Sequence, residues 1–212
     1  MTGRCAVLLV HGELGSAVAP QGVAEADFGR AMLTDVAEML HDLSGVDSLV
    51  VCGGEQASAV SALVWADVPV VGAAPPDVRA AVQVAKARGY AEVVVVAADA
   101  PDLPQMIIAK LFQALGSSAV AVAPAHGGGA VAFGAALPMP PWLSGWLAQA
   151  DLDTPSVVHD VRAAAQRQGD VRRVPGWHRL RSAEDLQRLD HGLEGWDATR
   201  ALLVGVRAPE EA

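Results

Sequence analysis

The stretch "EVVVVAADAPDLP", residues 92–104, decides the fold. Four valines and two alanines in a row, with no polar alternation, describe a strand covered on both faces, as strands of parallel sheets are. The run ends on Asp99, followed by Asp102 and by Pro104 at the start of a helical stretch. A buried strand gains nothing from a charge at its end, so Asp99 is either a turn device or part of a site. In open parallel sheets, ligands bind in the crevice beyond the carboxyl ends of the strands. A carboxylate placed there can hold a hard cation such as Mg2+ against substrate phosphates. The plainer alternative gives Asp99 an Asx turn and makes Asp102 a helix cap. Asp102 reads as that cap; for Asp99 the residues alone leave both readings open.

Outward from this strand, short apolar runs alternate with helical periodicity, the signature of an α/β fold. Upstream, "CAVLLVHG" (5–12) is a first buried strand, and 27–43 is a helix striped by Phe28, Met32, Leu33, Val36, Met39 and Leu40. Strands follow at 47–54 and 68–73, then a helix at 75–90 with proline at its start. Downstream come a helix at 104–115 and, over 117–135, two apolar runs separated by a glycine-rich bend, which suits one antiparallel strand. A helix around 155–168, a short strand at 171–174 and a helix over 182–193 complete the pattern. The expected architecture is a three-layer α/β/α domain over 1–192 with a mixed, mostly parallel central sheet. Residues 193–212, with Trp196, Leu202, Leu203 and Val204, form an extension that packs as a terminal helix or against a partner chain, as in a homodimer.

A chain of 212 residues suits one domain, and burying roughly 70% of the unfolded surface gives it a sizeable core. No apolar run approaches the ~20 residues of a membrane span, and "MTGRCAVLLVHGE" does not read as a signal peptide. Cys5 and Cys52 lie in apolar strands and read as buried free thiols of a cytoplasmic protein. The net charge of -9, from 15 basic and 24 acidic residues, repels a nucleic-acid partner. Small anions remain admissible, because backbone amides can cradle a phosphate inside an acidic protein. Lysine is confined to Lys86 and Lys110.

The motif "AADAPDLP" resembles the strand-end signature of the nucleotide-diphospho-sugar transferase superfamily, the Rossmann-like GT-A fold. It is most similar to a bacterial family of small glycosyltransferase-like proteins with Ser or Ala, Asp, any residue, Pro, Asp and Leu after a buried strand. The phospholactate guanylyltransferases of deazaflavin cofactor synthesis carry a similar Ala-Asp-Leu-Pro. "GRAMLTDVAEML" resembles the first helix of both families, and the element order matches over residues 5–190, although only the Asp99 motif is specific. The resemblance implies that Asp99 belongs to a metal and nucleotide site holding Mg2+ or Mn2+.

The sequence departs from that pattern in three places. Where such proteins clamp nucleotide phosphates with a glycine-rich basic loop, this chain reads "HGELGSAVAP" (11–20). His11, Gly12, Gly15 and Ser16 keep the loop character and are the nucleotide-binding candidates, but Glu13 is acidic and no lysine or arginine is present. Losing the clamp weakens triphosphate binding, since charge-assisted contacts are the strong ones. Second, an acidic residue before two glycines is replaced by His126 before Gly127, Gly128 and Gly129. His126 is a candidate for substrate contact or proton transfer, and Gly127 and Gly128 for substrate binding; a plain hairpin bend would need the same glycines. Third, an acidic motif that completes the metal site is replaced in "RLRSAEDL" (179–186) by Arg179 and Arg181, while Ser182 and Asp185 survive as a helix cap and its partner. Two guanidinium groups oppose a metal ion; they are suited to phosphate oxygens instead, and the simpler alternative is that they are surface arginines with no role. "DLDTPSV" (151–157) spells the lost motif in another context; Thr154-Pro155 reads as a helix start, with Asp151 or Asp153 in the preceding turn. Only an unusual chain path would bring these acids to the site.

Together the residues and the resemblance imply a transferase for a nucleotide or nucleotide-sugar and a small-molecule acceptor. Glycosyl transfer leads, because a diphosphate donor suffers less from the missing lysine. Nucleotidyl transfer to a phosphorylated acceptor is the second reading. A catalytically impaired binding protein that keeps the fold is the third.

Overall fold

The structure, a computed structural model, describes residues 3–12 and 18–206. Seven strands form one sheet: β1 (Arg4–Leu9), β2 (Asp47–Gly53), β3 (Val70–Ala73), β4 (Glu92–Ala97), β5 (Val120–Pro124), β6 (Ala130–Ala136) and β7 (Val171–Arg173). Their order across the sheet is β3-β2-β1-β4-β6-β5-β7. All pairings are parallel except those of β6, which runs antiparallel to both β4 and β5. The expected mixed, mostly parallel sheet is what forms, and the antiparallel strand is the one after the glycine-rich bend.

Seven α-helices are described: α1 (Glu25–His41), α2 (Ala57–Ser61), α3 (Val78–Ala87), α4 (Gln105–Leu115), α5 (Pro141–Trp146), α6 (Val157–Ala164) and α7 (Asp197–Val206). Successive strand residues point to opposite faces, and both faces are covered. Cys5, Val7 and Leu9 of β1, with Val93 and Val95 of β4, pack under α3, α5 and α6. Ala6 and Leu8, with Val94 and Val96, pack under α1 and α4. This two-sided burial is why the strands are continuously apolar. Cys5 and Cys52 are buried free thiols, and burial pushes the Cys5 thiol up to about 12.

A third cluster covers the outer side of α1, where Phe28 and Met32 meet Leu180, Leu189 and Trp196. The α1 stripe therefore divides, with Leu33, Val36, Met39 and Leu40 serving the sheet. The terminal helix α7 lies on α1, and Asp35 of α1, fully buried, accepts bonds from the Ala198 and Thr199 amides at 2.9 and 2.8 Å. It thereby caps α7 from another helix.

The stretch "PPWLSGW" supplies α5, with Pro141 in the first turn, where proline's missing N–H costs nothing. Two local expectations differ. The helix expected over 182–193 is a short 3-10 turn, Ala183–Arg188. It stops because the Asp190 amide, which a continuing helix would need, donates to Asp102 instead. The helix expected at 155–168 spans only Val157–Ala164, ended by the extended backbone of Ala165.

Candidate active site at the strand ends

The turn after β4 brings Asp99 to the carboxyl edge of the sheet, and its carbonyl accepts a bond from the Leu180 amide at 2.8 Å. That bond lays segment 179–181 alongside the turn. Arg179 Nε donates to Asp99 Oδ1 at 2.5 Å, and Arg179 Nη1 lies 2.7 Å from Asp153 Oδ1. The same Nη1 donates to the carbonyls of Ala130 and Leu152 at 3.1 and 3.4 Å. Arg181 Nη2 donates to Asp153 Oδ1 at 2.9 Å, Arg181 Nη1 to the Gly128 carbonyl at 3.2 Å, and its Nε lies 3.8 Å from Asp99 Oδ2. Two carboxylates and two guanidinium groups thus alternate in one neutral network.

Exposure differs within it. The Arg179 side chain is 8% exposed and Asp99 23%, against 32% for Arg181 and 48% for Asp153. Burial by itself pulls the Arg179 guanidinium down, but Asp99 and then Asp153 outweigh it and leave its pKa above the ordinary arginine value. Arg181 is lowered, by burial first and by Arg179 second, with Asp99, Asp153 and Asp151 partly offsetting. Asp185 closes the segment by accepting from the Arg181 and Ser182 amides and the Ser182 hydroxyl, the capping arrangement expected from the sequence.

The glycine-rich bend serves this network. Gly129 has φ +80°, and a Cβ there would lie 2.4 Å from the Leu152 carbonyl and 3.2 Å from Arg181 Nη2. Only glycine allows the β5–β6 bend to approach residues 152–155 and the guanidinium so closely. Gly127 and Gly128 share the positive φ of the bend. His126 is exposed at its tip, held by its amide donating to the Trp177 carbonyl at 2.8 Å.

Asp102 does something else. It is not the cap of α4, whose first turn follows Pro104 with no side-chain capping bond. Its side chain is sealed, Oδ1 accepting from Trp177 Nε1 and Oδ2 from the Asp190 amide, both at 3.0 Å. His178 Nε2 lies 2.9 Å from the same Oδ1, too far off line for a hydrogen bond. Asp102 clasps the segment that carries both arginines. Sequence reasoning missed this role, and it set Asp153 aside as part of a helix-start turn. Asp151 does make that turn, accepting from the Asp153 amide at 2.9 Å, while the Asp153 carboxylate reaches the arginines.

Beside Arg179, a cavity of about 280 Å³ opens at the carboxyl ends of β1 and β4, bordered by Leu9, His11, Ala97, Asp151 and Asp153. His11 is exposed, its Nδ1 3.1 Å from the Pro76 carbonyl, and the carbonyl of Gly12 accepts from Gln56 Nε2 at 3.0 Å. Of the nucleotide-binding candidates, Gly15 and Ser16 lie outside the described residues, as does Glu13. His11, Asp99 and Arg179 gather at this edge, and Gly128 and Arg181 adjoin it; no bond of the His126 ring ties it to the network among the described residues.

This fold is shared with solved nucleotide-diphospho-sugar transferases and nucleotidyltransferases. A protein from Desulfovibrio desulfuricans G20, assigned to the nucleotide-diphospho-sugar transferases, superposes with a TM-score of 0.65 at 18% identity, covering 98% of each chain. A nucleotidyl transferase from Methanothermobacter thermautotroptrophicus gives 0.59 at 16% identity, over 97% of this chain and 100% of that one. Rv0371c from Mycobacterium tuberculosis H37Rv, in complex with manganese, gives 0.53 at 20%, over 96% and 98%. At these identities the likeness establishes the fold. The chain itself belongs to DUF2064, a family described as uncharacterized protein conserved in bacteria, whose profile matches residues 38–148. No curated protein sequence matches it. Among the described residues, no helix is long and apolar enough to cross a membrane.

Proposed function

We propose that the protein is a nucleotide-sugar-dependent transferase whose donor lies in the cavity between the ends of β1 and β4. The observation that supports this reading best is the position of that cavity, at the carboxyl edge of a parallel sheet, with the Arg179 guanidinium at its border. The donor diphosphate lies against Arg179, the nucleoside extends toward His11 and Gly12, and the acceptor approaches from the side of Gly128 and His126. When the acceptor hydroxyl attacks the anomeric carbon, the bond from that carbon to the diphosphate oxygen breaks and charge grows on the leaving diphosphate. A guanidinium already oriented by Asp99 and Asp153 stabilises that charge without reorganising. On this reading His126, exposed at the glycine-rich bend, takes the acceptor proton.

A ligand present at about a hundred times its Kd stabilises the fold by about 2.7 kcal/mol, which in a chain of this size raises Tm by roughly 5–10 °C. The test is thermal melting against UDP-, GDP-, CDP- and ADP-sugars, followed by release of the nucleoside diphosphate with acceptor present. One shift of that size with product release carries the proposal; melting that responds to none of the four defeats it.

A second reading is favoured by the engagement of both Asp99 and Asp153 with arginines. On that reading the fold binds a nucleotide ligand without turning it over. A ligand-induced shift without release of the diphosphate selects it.

A further inference from the structure

The resemblance implies a divalent ion at Asp99, and the residues present do not fit one. Among the described residues, no group of three or more His, Cys, Asp or Glu side chains converges as a metal site. The oxygens that do converge are Asp99 Oδ1, Asp153 Oδ1 and the carbonyls of Ala130 and Leu152. All four are within bonding distance of one guanidinium, that of Arg179, at 2.5, 2.7, 3.1 and 3.4 Å. This is the kind of hard-oxygen surround that suits Mg2+ or Mn2+, already filled by a cation from the chain. Its backbone part is rigid: the Ala130 carbonyl belongs to β6, and the Ala130 amide donates to the Leu152 carbonyl at 2.8 Å, locking the two together. Arg181, bonded to the same Asp153 oxygen, adds a second positive charge. A metal ion seated on Asp99 would have to displace one guanidinium and withstand the other.

We propose that Arg179 is the resident cation of this site, standing where a divalent ion would otherwise bridge the two carboxylates, so that ligand phosphates are held without metal. Its Nε and Nη1 are committed to the chain, whereas Nη2 makes no hydrogen bond among the described residues. Because Arg179 borders the cavity, Nη2 is the donor left for a phosphate oxygen. A planar guanidinium held at Nε and Nη1 offers its remaining nitrogen in a defined plane, which a hydrated ion does not. The phosphate half of the proposal rests on the nucleotide reading above; the cation half does not.

Two titrations decide it. In the first, MnCl2 is added to the whole protein and bound Mn2+ is followed by its electron paramagnetic resonance. The wild type should leave the free-ion signal undiminished, and Arg179→Met, which frees the four oxygens, should gain a saturable site. Saturable Mn2+ binding by the wild type that disappears in Asp99→Asn overturns the proposal. So does a folded Arg179→Met that binds none. If Arg179→Met fails to fold, the wild-type titration decides alone. In the second, UDP and GDP are titrated with EDTA and again with Mn2+. A bridging metal would couple to the nucleotide by roughly 5–150-fold in affinity; the resident cation predicts equal affinity in both conditions. Metal-dependent tightening within that range overturns the proposal. If neither nucleotide binds while Mn2+ is also ignored, the nucleotide reading fails and the cation assignment stands.

Discussion

Asp99 and Asp102 leave the same strand end, yet the regions around them are built on different terms. Asp99 keeps 23% of its side chain exposed and meets two guanidinium groups beside a cavity. Asp102 is sealed at 0% and satisfied by Trp177 and the Asp190 amide, with the His178 ring against it. The first environment holds charge where a ligand can reach it. The second uses charge to fasten the chain, and through that fastening it sets the position of Arg179 and Arg181. A strand-end acid therefore declares its role by its partners, not by its place in the motif.

The contrast breaks most visibly at Asp102. Asp102→Ala leaves two part-buried donors unpaired, at ~1–3 kcal/mol each, so a loss of about 2–4 kcal/mol is expected, near 10 °C in Tm. Urea unfolding measures it, and a loss below that of Asp99→Ala would reverse the assignment of roles. Next is Arg179→Ala. Removing one partner of a fully buried pair costs ~3–5 kcal/mol, but Asp99 and Asp153 can rehydrate, so about 2 kcal/mol is expected with the partial exposure discounted. Asp99→Asn keeps the shape and leaves Arg179 its bond to Asp153, so about 1 kcal/mol is lost. In that variant diphosphate binding should weaken more than stability does, as titration and melting together show.

The smallest effect concerns pH. Asp185 is raised by burial and lowered more by the Ser182 hydroxyl, the Arg181 and Ser182 amides and Arg188, so its carboxyl sits below the ordinary value. The stability it contributes is complete above the unfolded-state pKa near 3.8 and is lost as pH falls through the folded value. Asp185→Asn should therefore lower stability modestly in the neutral range and converge with the wild type in acid, which flattens the acid limb of the pH–stability curve.

The sheet was legible because two-sided burial writes itself into the strands, as in Val93 to Val96, and because Phe28, Met32 and Leu33 repeat at helical spacing. The antiparallel β6 was signalled by Gly127 to Gly129. The site was legible only in half. Asp99, Arg179 and Arg181 stood out through the resemblance, but that they pair depends on a contact across 80 residues of chain. The role of Asp153 was hidden because its backbone obeys a local turn rule while its side chain answers to distant arginines. Asp102 was misread for a related reason. A helix start offers a local cap, and the competing partners, Trp177 and the Asp190 amide, lie 75 and 88 residues away. Local rules rank local partners, and tertiary partners outbid them here.

The most direct measurement is a crystal structure of the protein grown with UDP or GDP in the presence of EDTA. The diphosphate should lie in the cavity at the ends of β1 and β4, within hydrogen-bond reach of Arg179 Nη2, with the Asp99 and Asp153 pairs intact. A diphosphate bound elsewhere, or one bound there only after Arg179 has swung away from Asp99, would contradict the role given to this guanidinium.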